Sequence, residues 1–140
     1  MTTEAFEDIV ETFEFLDDWE DRYRHVIDLG KAMPVMPDDQ KGALTKVDGC
    51  ASQVWIAPRF EGEGADLRLH FNGDSDAMIV RGLIAVLHAL LSGRTPQEIV
   101  DTDALAQMAR LGLDQHLSAQ RSNGLRAMIV RVGELARAAA

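Results

Sequence analysis

Only the middle of the chain carries the period-two pattern of β-strands, and helical periodicity flanks it on both sides. Three short runs make up this block, at residues 44–47, 54–60 and 67–71, the last alternating Leu, Leu and Phe with Arg and His. The connections between them are too short for crossover helices, so the strands are expected to pair antiparallel. Pro58 marks the second strand as an edge or bulged one. Asp48-Gly49 supplies a tight turn, and EGEGAD a loose hairpin loop.

Around this block the helices are legible from their caps. Phe6, Ile9, Val10, Phe13 and Leu16 recur at helical spacing and predict an opening amphipathic helix. Asp17-Asp18-Trp19-Glu20 reads as a cap with a glutamate at its third position. It starts a second helix with Trp19, Tyr23, Val26 and Ile27 on one side, which Gly30 is expected to close. MPVMPDDQKG, with two prolines, follows as a loop. Asp74-Ser75-Asp76 reads as the cap of a helix that runs through Leu91 to Ser92-Gly93. Thr95-Pro96-Gln97-Glu98 combines a capping threonine, a first-turn proline and a glutamate. Short helices at 97–100 and 103–111 and a segment at 113–117 lead to a last helix from Ser118. Its apolar face is Leu125, Met128, Ile129, Val132 and Leu135. The expected class is α+β: one domain over residues 1–140, a small three-stranded antiparallel sheet covered by helices.

Charge narrows the partners. With 23 acidic against 14 basic residues the formal charge is −9, which repels a phosphate backbone, so nucleic acid is not expected. GLIAVLHALL, the most apolar run, is shorter than the 18 to 20 residues, roughly, that cross a bilayer, and no membrane partner is expected. MTTEAFEDIVETFEF is acidic where a leader peptide is basic. A single cysteine permits no internal disulfide and suits a reducing compartment, so the cytoplasm is the expected location. His25, His70, His88 and His116 fall at no ligand spacing, so neither a metal nor a bound cofactor is expected. His88, within an apolar helix, reads as a hydrogen-bonded core residue.

That leaves Cys50 as the residue with chemistry to offer. A lone cysteine is most often a small buried hydrophobe. Here, however, it follows the Asp48-Gly49 turn, and its next neighbours, Ala51, Ser52 and Gln53, are small or polar. Bulky apolar residues begin only at Val54. A second irregularity lies in the last helix: Arg121 occupies the first turn, where the helix dipole favours acids, and Asn123-Gly124 are poor helix formers. These side chains point to a tertiary or functional contact, with a plain surface arginine as the alternative.

The run Gly49-Cys50-Ala51-Ser52-Gln53-Val54-Trp55-Ile56 resembles the signature of the SufE/CsdE sulfur-acceptor family. The likeness continues through Gly73-Asp74-Ser75-Asp76-Ala77, Ile79-Val80-Arg81-Gly82-Leu83 and Gly93-Arg94-Thr95-Pro96-Gln97-Glu98-Ile99. It ends with Leu117-Ser118, Arg121-Ser122 and Gly124-Leu125. The resemblance implies the SufE/NifU (IscU-like) fold. It also implies that Cys50 accepts sulfur as a covalent persulfide from a cysteine desulfurase of the SufS or CsdA kind, whose turnover the chain stimulates. PLP belongs to that partner, and the chain is not expected to turn over substrate alone. The sulfur would pass to an iron–sulfur scaffold of the SufB or SufBCD kind. Arg121 is the residue named to favour the thiolate or persulfide. Gly49, Ser52, Gln53, Asp74, Ser75 and Asp76 are expected to support the cysteine loop. A homodimer stays open, and two rival functions stay beside this one: a thiol-based redox enzyme, and an interaction module in which Cys50 is structural.

Overall fold

In the computed structural model, which describes residues 2–140, α1 (Glu4–Phe15) and α2 (Trp19–Ala32) open the fold. The strands β1 (Val54–Glu61) and β2 (Arg68–Ser75) follow. Then come α3 (Met78–Leu91), three short helices α4 (Pro96–Val100), α5 (Ala104–Arg110) and α6 (Leu113–His116), and the long α7 (Ala119–Ala139). The α+β class is as expected, but the sheet has two strands rather than three. Residues 44–47 do not form the third. Thr45 and Lys46 donate to the Gly42 carbonyl and curl the chain into a turn, so only two residues remain before the Asp48-Gly49 turn. They still lie against β1: Val47 N–H donates to the Val54 carbonyl and Ile56 N–H to the Thr45 carbonyl, each at 2.8 Å. Val54 and Ile56 thus aim these backbone groups at the outer edge of β1. Pro58 shares their parity, so its missing N–H costs the ladder nothing.

α3 is the central helix, with ten buried residues between Ile79 and Leu91. One face of the β-ribbon packs Ile56, Leu69 and Phe71 onto it, and α1 contributes Phe6, Ile9, Val10 and Phe13. α7 closes the core from the other side with Leu125, Met128, Val132 and Ala136. The caps anticipated at Ser118 and Thr95 are present; at Thr95 both hydrogen bonds of the capping box form. Two other boundaries differ. The N-cap of α2 is Asp18, whose carboxylate accepts from Asp21 N–H, one residue later than the Asp17 box implies. Gly30 does not end α2, which continues to Ala32; it serves instead to let α3 approach. A Cβ on Gly30 would meet Gly82 N at 2.6 Å, and a Cβ on Gly82 would meet the Val26 carbonyl oxygen at 2.2 Å. The two helices touch backbone to backbone through a pair of glycines.

Arg81 fastens this junction. Its Nε donates to the Gly30 carbonyl at 2.8 Å, and Nη2 to the Met33 carbonyl at 3.3 Å, satisfying acceptors that the end of α2 leaves open. Nη1 meets Asp74 Oδ1 at 2.8 Å, while Lys41 Nζ reaches Asp74 Oδ2 at 3.0 Å. Burial alone would push the Asp74 carboxyl up. The hydrogen bond from Lys41, the Ser75 N–H and the charges of Arg81 and Lys41 outweigh it and hold the group below its ordinary value of 3.8. A depressed carboxylate stabilises the fold above its unfolded value, and that stabilisation disappears as pH falls through the folded value. Asp74→Asn should therefore cost about 2 kcal/mol at pH 7. The gap from the wild type should hold down to about pH 5 and close as pH drops through 3.8 and below. Urea unfolding at a series of pH values checks this; a gap that widens in acid contradicts it.

Candidate functional site

The base of the cysteine loop is the Val47–Val54 hydrogen bond, which pinches residues 48–53 into a closed excursion. Gly49 adopts φ 88°, a left-handed conformation that glycine enters without strain, and so turns the chain toward α7. On the returning side Asp76 holds the loop by its backbone and side chain together. Its Oδ1 accepts from Gln53 N–H at 3.0 Å, and its own N–H donates to the Gln53 carbonyl at 3.3 Å. Asp74, Ser75 and Asp76 do not cap α3 as expected; Ala77 is its N-cap and no side chain caps it. Ser75 Oγ instead accepts from Ala77 N–H at 3.2 Å and shapes the entry to the helix.

Cys50 is half-buried at the tip of this loop and opens on a cavity of about 280 Å³. The loop supplies Cys50, Ala51 and Ser52, and α3 supplies Val80 and Leu83. Ser118, Gln120, Arg121, Gly124 and Met128 come from the start of α7. The thiol Sγ lies 3.8 Å from the Gly124 carbonyl oxygen, which accepts its hydrogen weakly. A Cβ on residue 124 would stand 3.7 Å from Sγ. The glycine that looked out of place in a helix therefore leaves room beside the sulfur.

Electrostatics keep the resting sulfur protonated. Burial pushes the Cys50 thiol up, and the Asp48 carboxylate pushes it the same way. Arg121 lines the same cavity, its backbone N–H donating to Ser118 Oγ at 3.3 Å. Its guanidinium carbon sits 5.8 Å from the centre of the Tyr23 ring. Among the described residues no hydrogen bond joins it to Cys50. Loop and arginine thus share one cavity, with the cation parked on an aromatic face rather than on the sulfur.

The structure brings Cys50, Ser52 and Arg121 together around the cavity. Gly49, Gln53 and Asp76 hold the loop, and Asp74 sits behind it in the Lys41–Arg81 clasp. The α3 lining, Val80 and Leu83, and the Lys41 contact escaped the sequence reading. Val80 and Leu83 stand within the Ile79–Leu83 motif, but only the tertiary fold brings them to the cavity and Lys41 to Asp74. Among the described residues no three His, Cys, Asp or Glu side chains converge to hold a metal ion. His88 sets its ring edge-on to Phe71, centroids 5.5 Å apart, and among the described residues the ring makes no hydrogen bond of the kind expected. Burial, then the neighbouring His70, pushes its pKa down. No helix among the described residues is long and apolar enough to cross a membrane.

Known proteins resemble this chain over most of its length. Residues 7–136 match the sequence model of the family described as SufE, Fe-S metabolism associated domain. The chain is 50% identical over 128 residues to an uncharacterized SufE-like protein of Rhizobium meliloti, covering 91% of each. It is 42% identical over 127 residues to the sulfur acceptor protein CsdE of Escherichia coli, covering 91% of this chain and 84% of that one. A solved structure of a hypothetical protein from Thermus thermophilus superposes with a TM-score of 0.73 at 22% identity, over 99% of this chain and 98% of that one. The last likeness concerns the fold alone.

Proposed function

Because the chain belongs to the SufE family of iron–sulfur metabolism proteins, we propose that it is the sulfur acceptor of a PLP-dependent cysteine desulfurase and carries the sulfur on Cys50. The observation that carries this reading is the single thiol on a pinched loop, half-buried beside a cavity with vacant space next to Sγ. The transfer is a substitution at sulfur. The Cys50 thiolate attacks the terminal sulfur of the donor's persulfide and forms a new S–S bond. The donor's own S–S bond breaks and its electron pair leaves with the donor thiolate. One S–S bond replaces another, so no external oxidant or reductant is consumed.

The resting thiol is held neutral, so the reactive state requires a change of surroundings. Docking that lifts the loop from the cavity removes the burial that raises the thiol. A donor persulfide then finds a thiolate. Arg121 is the cation within the same cavity that can turn from Tyr23 toward the sulfur once charge develops there. With no second cysteine in the chain, a persulfide on Cys50 cannot close an internal disulfide, and it persists until an iron–sulfur scaffold accepts it. The PLP is the desulfurase's, and this chain has no turnover of its own. The work takes place in the cytoplasm.

Two results test this. Adding the chain to a cysteine desulfurase with free cysteine should raise its rate of alanine formation; no change in rate contradicts the proposal. Gly124→Ala should separate stability from function. Alanine is the better helix former, by up to about 1 kcal/mol, and no backbone obstructs a Cβ there. The added methyl, however, touches Sγ where an outer sulfur bonded at about 2.05 Å must fit. The variant should melt no lower than the wild type yet load sulfur about tenfold more slowly, a barrier increase of about 1.4 kcal/mol. Equal loading would place the outer sulfur elsewhere.

A further inference from the structure

The cavity beside Cys50 is larger than transfer from a protein donor uses. It encloses about 280 Å³. A cavity that holds one water needs only about 10–15 Å³, and a single outer sulfur is little bigger, so most of the space stays free when Cys50 is loaded. That space is polar at one end and apolar at the other. Residues three and four apart share a helix face, so Arg121, Gly124, Leu125 and Met128 run as one stripe down the α7 wall. Leu125 and Met128 are buried and Arg121 is exposed, which puts the cation at the mouth and the hydrocarbon inside. Among the described residues Arg121 is the one charged side chain of the lining, and no carboxylate lies within 4.0 Å of its guanidinium. The Asp48 carboxylate acts on the thiol from outside the lining. An anion is therefore better placed at Arg121 than at the sulfur.

Sγ lies against Gly124, one turn and about 4.5 Å of helix rise from Arg121. A molecule that touches both carries its anion about two or three carbons from its reactive atom, at about 1.5 Å per bond. Such a chain suits the apolar wall. Its reactive atom is a sulfur, because a persulfide exchanges with thiolates. We propose that the cavity admits a small thiol carrying a carboxylate, and that this thiol unloads Cys50 as a second class of sulfur acceptor beside the protein scaffold. The carboxylate pairs with the Arg121 guanidinium while the thiolate attacks the outer sulfur. A new S–S bond forms there, the S–S bond of the Cys50 persulfide breaks, and its electron pair stays on Cys50 as the thiolate. The small persulfide leaves, and no oxidant or reductant is consumed. Uncharged thiols lack the handle on Arg121, so against them the loaded chain lasts longer. This deepens the sulfur-acceptor reading and rests on it, since Cys50 must first be loaded.

The test uses the full chain, loaded by a cysteine desulfurase with cysteine and then freed of both. Loss of the persulfide from Cys50 is followed against 3-mercaptopropionate and against its uncharged amide, 3-mercaptopropanamide. The reference is the same pair acting on the urea-unfolded loaded chain. Relative to it, the acid should gain about tenfold over the amide, as one charge-assisted hydrogen bond gives, and its rate should saturate. Arg121→Gln should remove that gain. Taking the ratio of acid to amide cancels any effect of the variant on the sulfur itself. In the unloaded wild type, butanoate should slow the alkylation of Cys50 by iodoacetamide, and butanamide should not. No gain for the acid, a gain that Arg121→Gln leaves intact, or no protection by butanoate overturns the small-thiol site and leaves the sulfur-acceptor reading standing. A wild-type chain that takes up no sulfur overturns the sulfur-acceptor reading and the unloading step with it.

Discussion

Cys50→Ser leaves a folded protein that takes up no sulfur. Serine matches the thiol in shape, and its hydroxyl finds an acceptor in the Gly124 carbonyl that the thiol already addresses. The half-buried site should lose no more than about 1 kcal/mol. An oxygen nucleophile forms no S–S bond, so persulfide formation on the chain falls to background, a loss rather than a slowing. Sulfur uptake and melting temperature, measured together, check the pair of expectations. Serine-containing protein that still carries a reducible sulfur would move the chemistry away from residue 50.

The largest effect on stability is expected far from that loop, at the glycine pair between α2 and α3. Helix propensity alone predicts that Gly82→Ala stabilises α3 by about 1 kcal/mol. The contact predicts the opposite: the new Cβ would sit 2.2 Å from the Val26 carbonyl oxygen and 2.7 Å from its carbon. These are backbone atoms of a packed helix, with no rotamer to yield. The helices must separate, and buried Val26, Leu83 and Val86 lose their packing along the seam. Overpacking of this kind should cost about 3 kcal/mol or more, against a total stability of about 5–15 kcal/mol. The melting temperature should drop by roughly 10 °C. Thermal unfolding followed by circular dichroism reads the result; a variant as stable as the wild type would mean that the two helices stand further apart. Gly124, where only the Cys50 side chain is near, is the contrasting case, and there propensity wins.

Those two glycines also show where sequence reading succeeds and where it stops. The caps at Ser118 and Thr95 are local, so their residues announce them, and the structure has them. Gly30 has the composition of a helix end, yet the pressure for glycine comes from α3, which no window around residue 30 contains. Residues 44–47 carry strand-forming side chains, but the N–H groups of Thr45 and Lys46 turn back to the Gly42 carbonyl and curl the backbone first. Asp74 to Asp76 have the composition of a cap, but the two aspartates are taken by longer-range tasks and the serine by a local turn. Asp74 binds Lys41 and Arg81, Asp76 binds Gln53, and Ser75 turns the chain at Ala77. The cysteine motif itself was legible because its parts are contiguous. The cavity beside it was not, since α3 and α7 contribute most of its walls. The misplaced look of Arg121 and Gly124 in a helix was its one trace, and both prove to line that cavity.

One measurement bears most directly on the role of Cys50. The purified chain is incubated with a cysteine desulfurase and cysteine, alkylated without reductant, digested, and the peptide containing Cys50 is weighed. The account predicts a gain of one sulfur atom on Cys50 that a thiol reductant removes and that appears only when desulfurase and cysteine are both present. An unmodified Cys50 peptide, under conditions where the desulfurase is turning over, would contradict it.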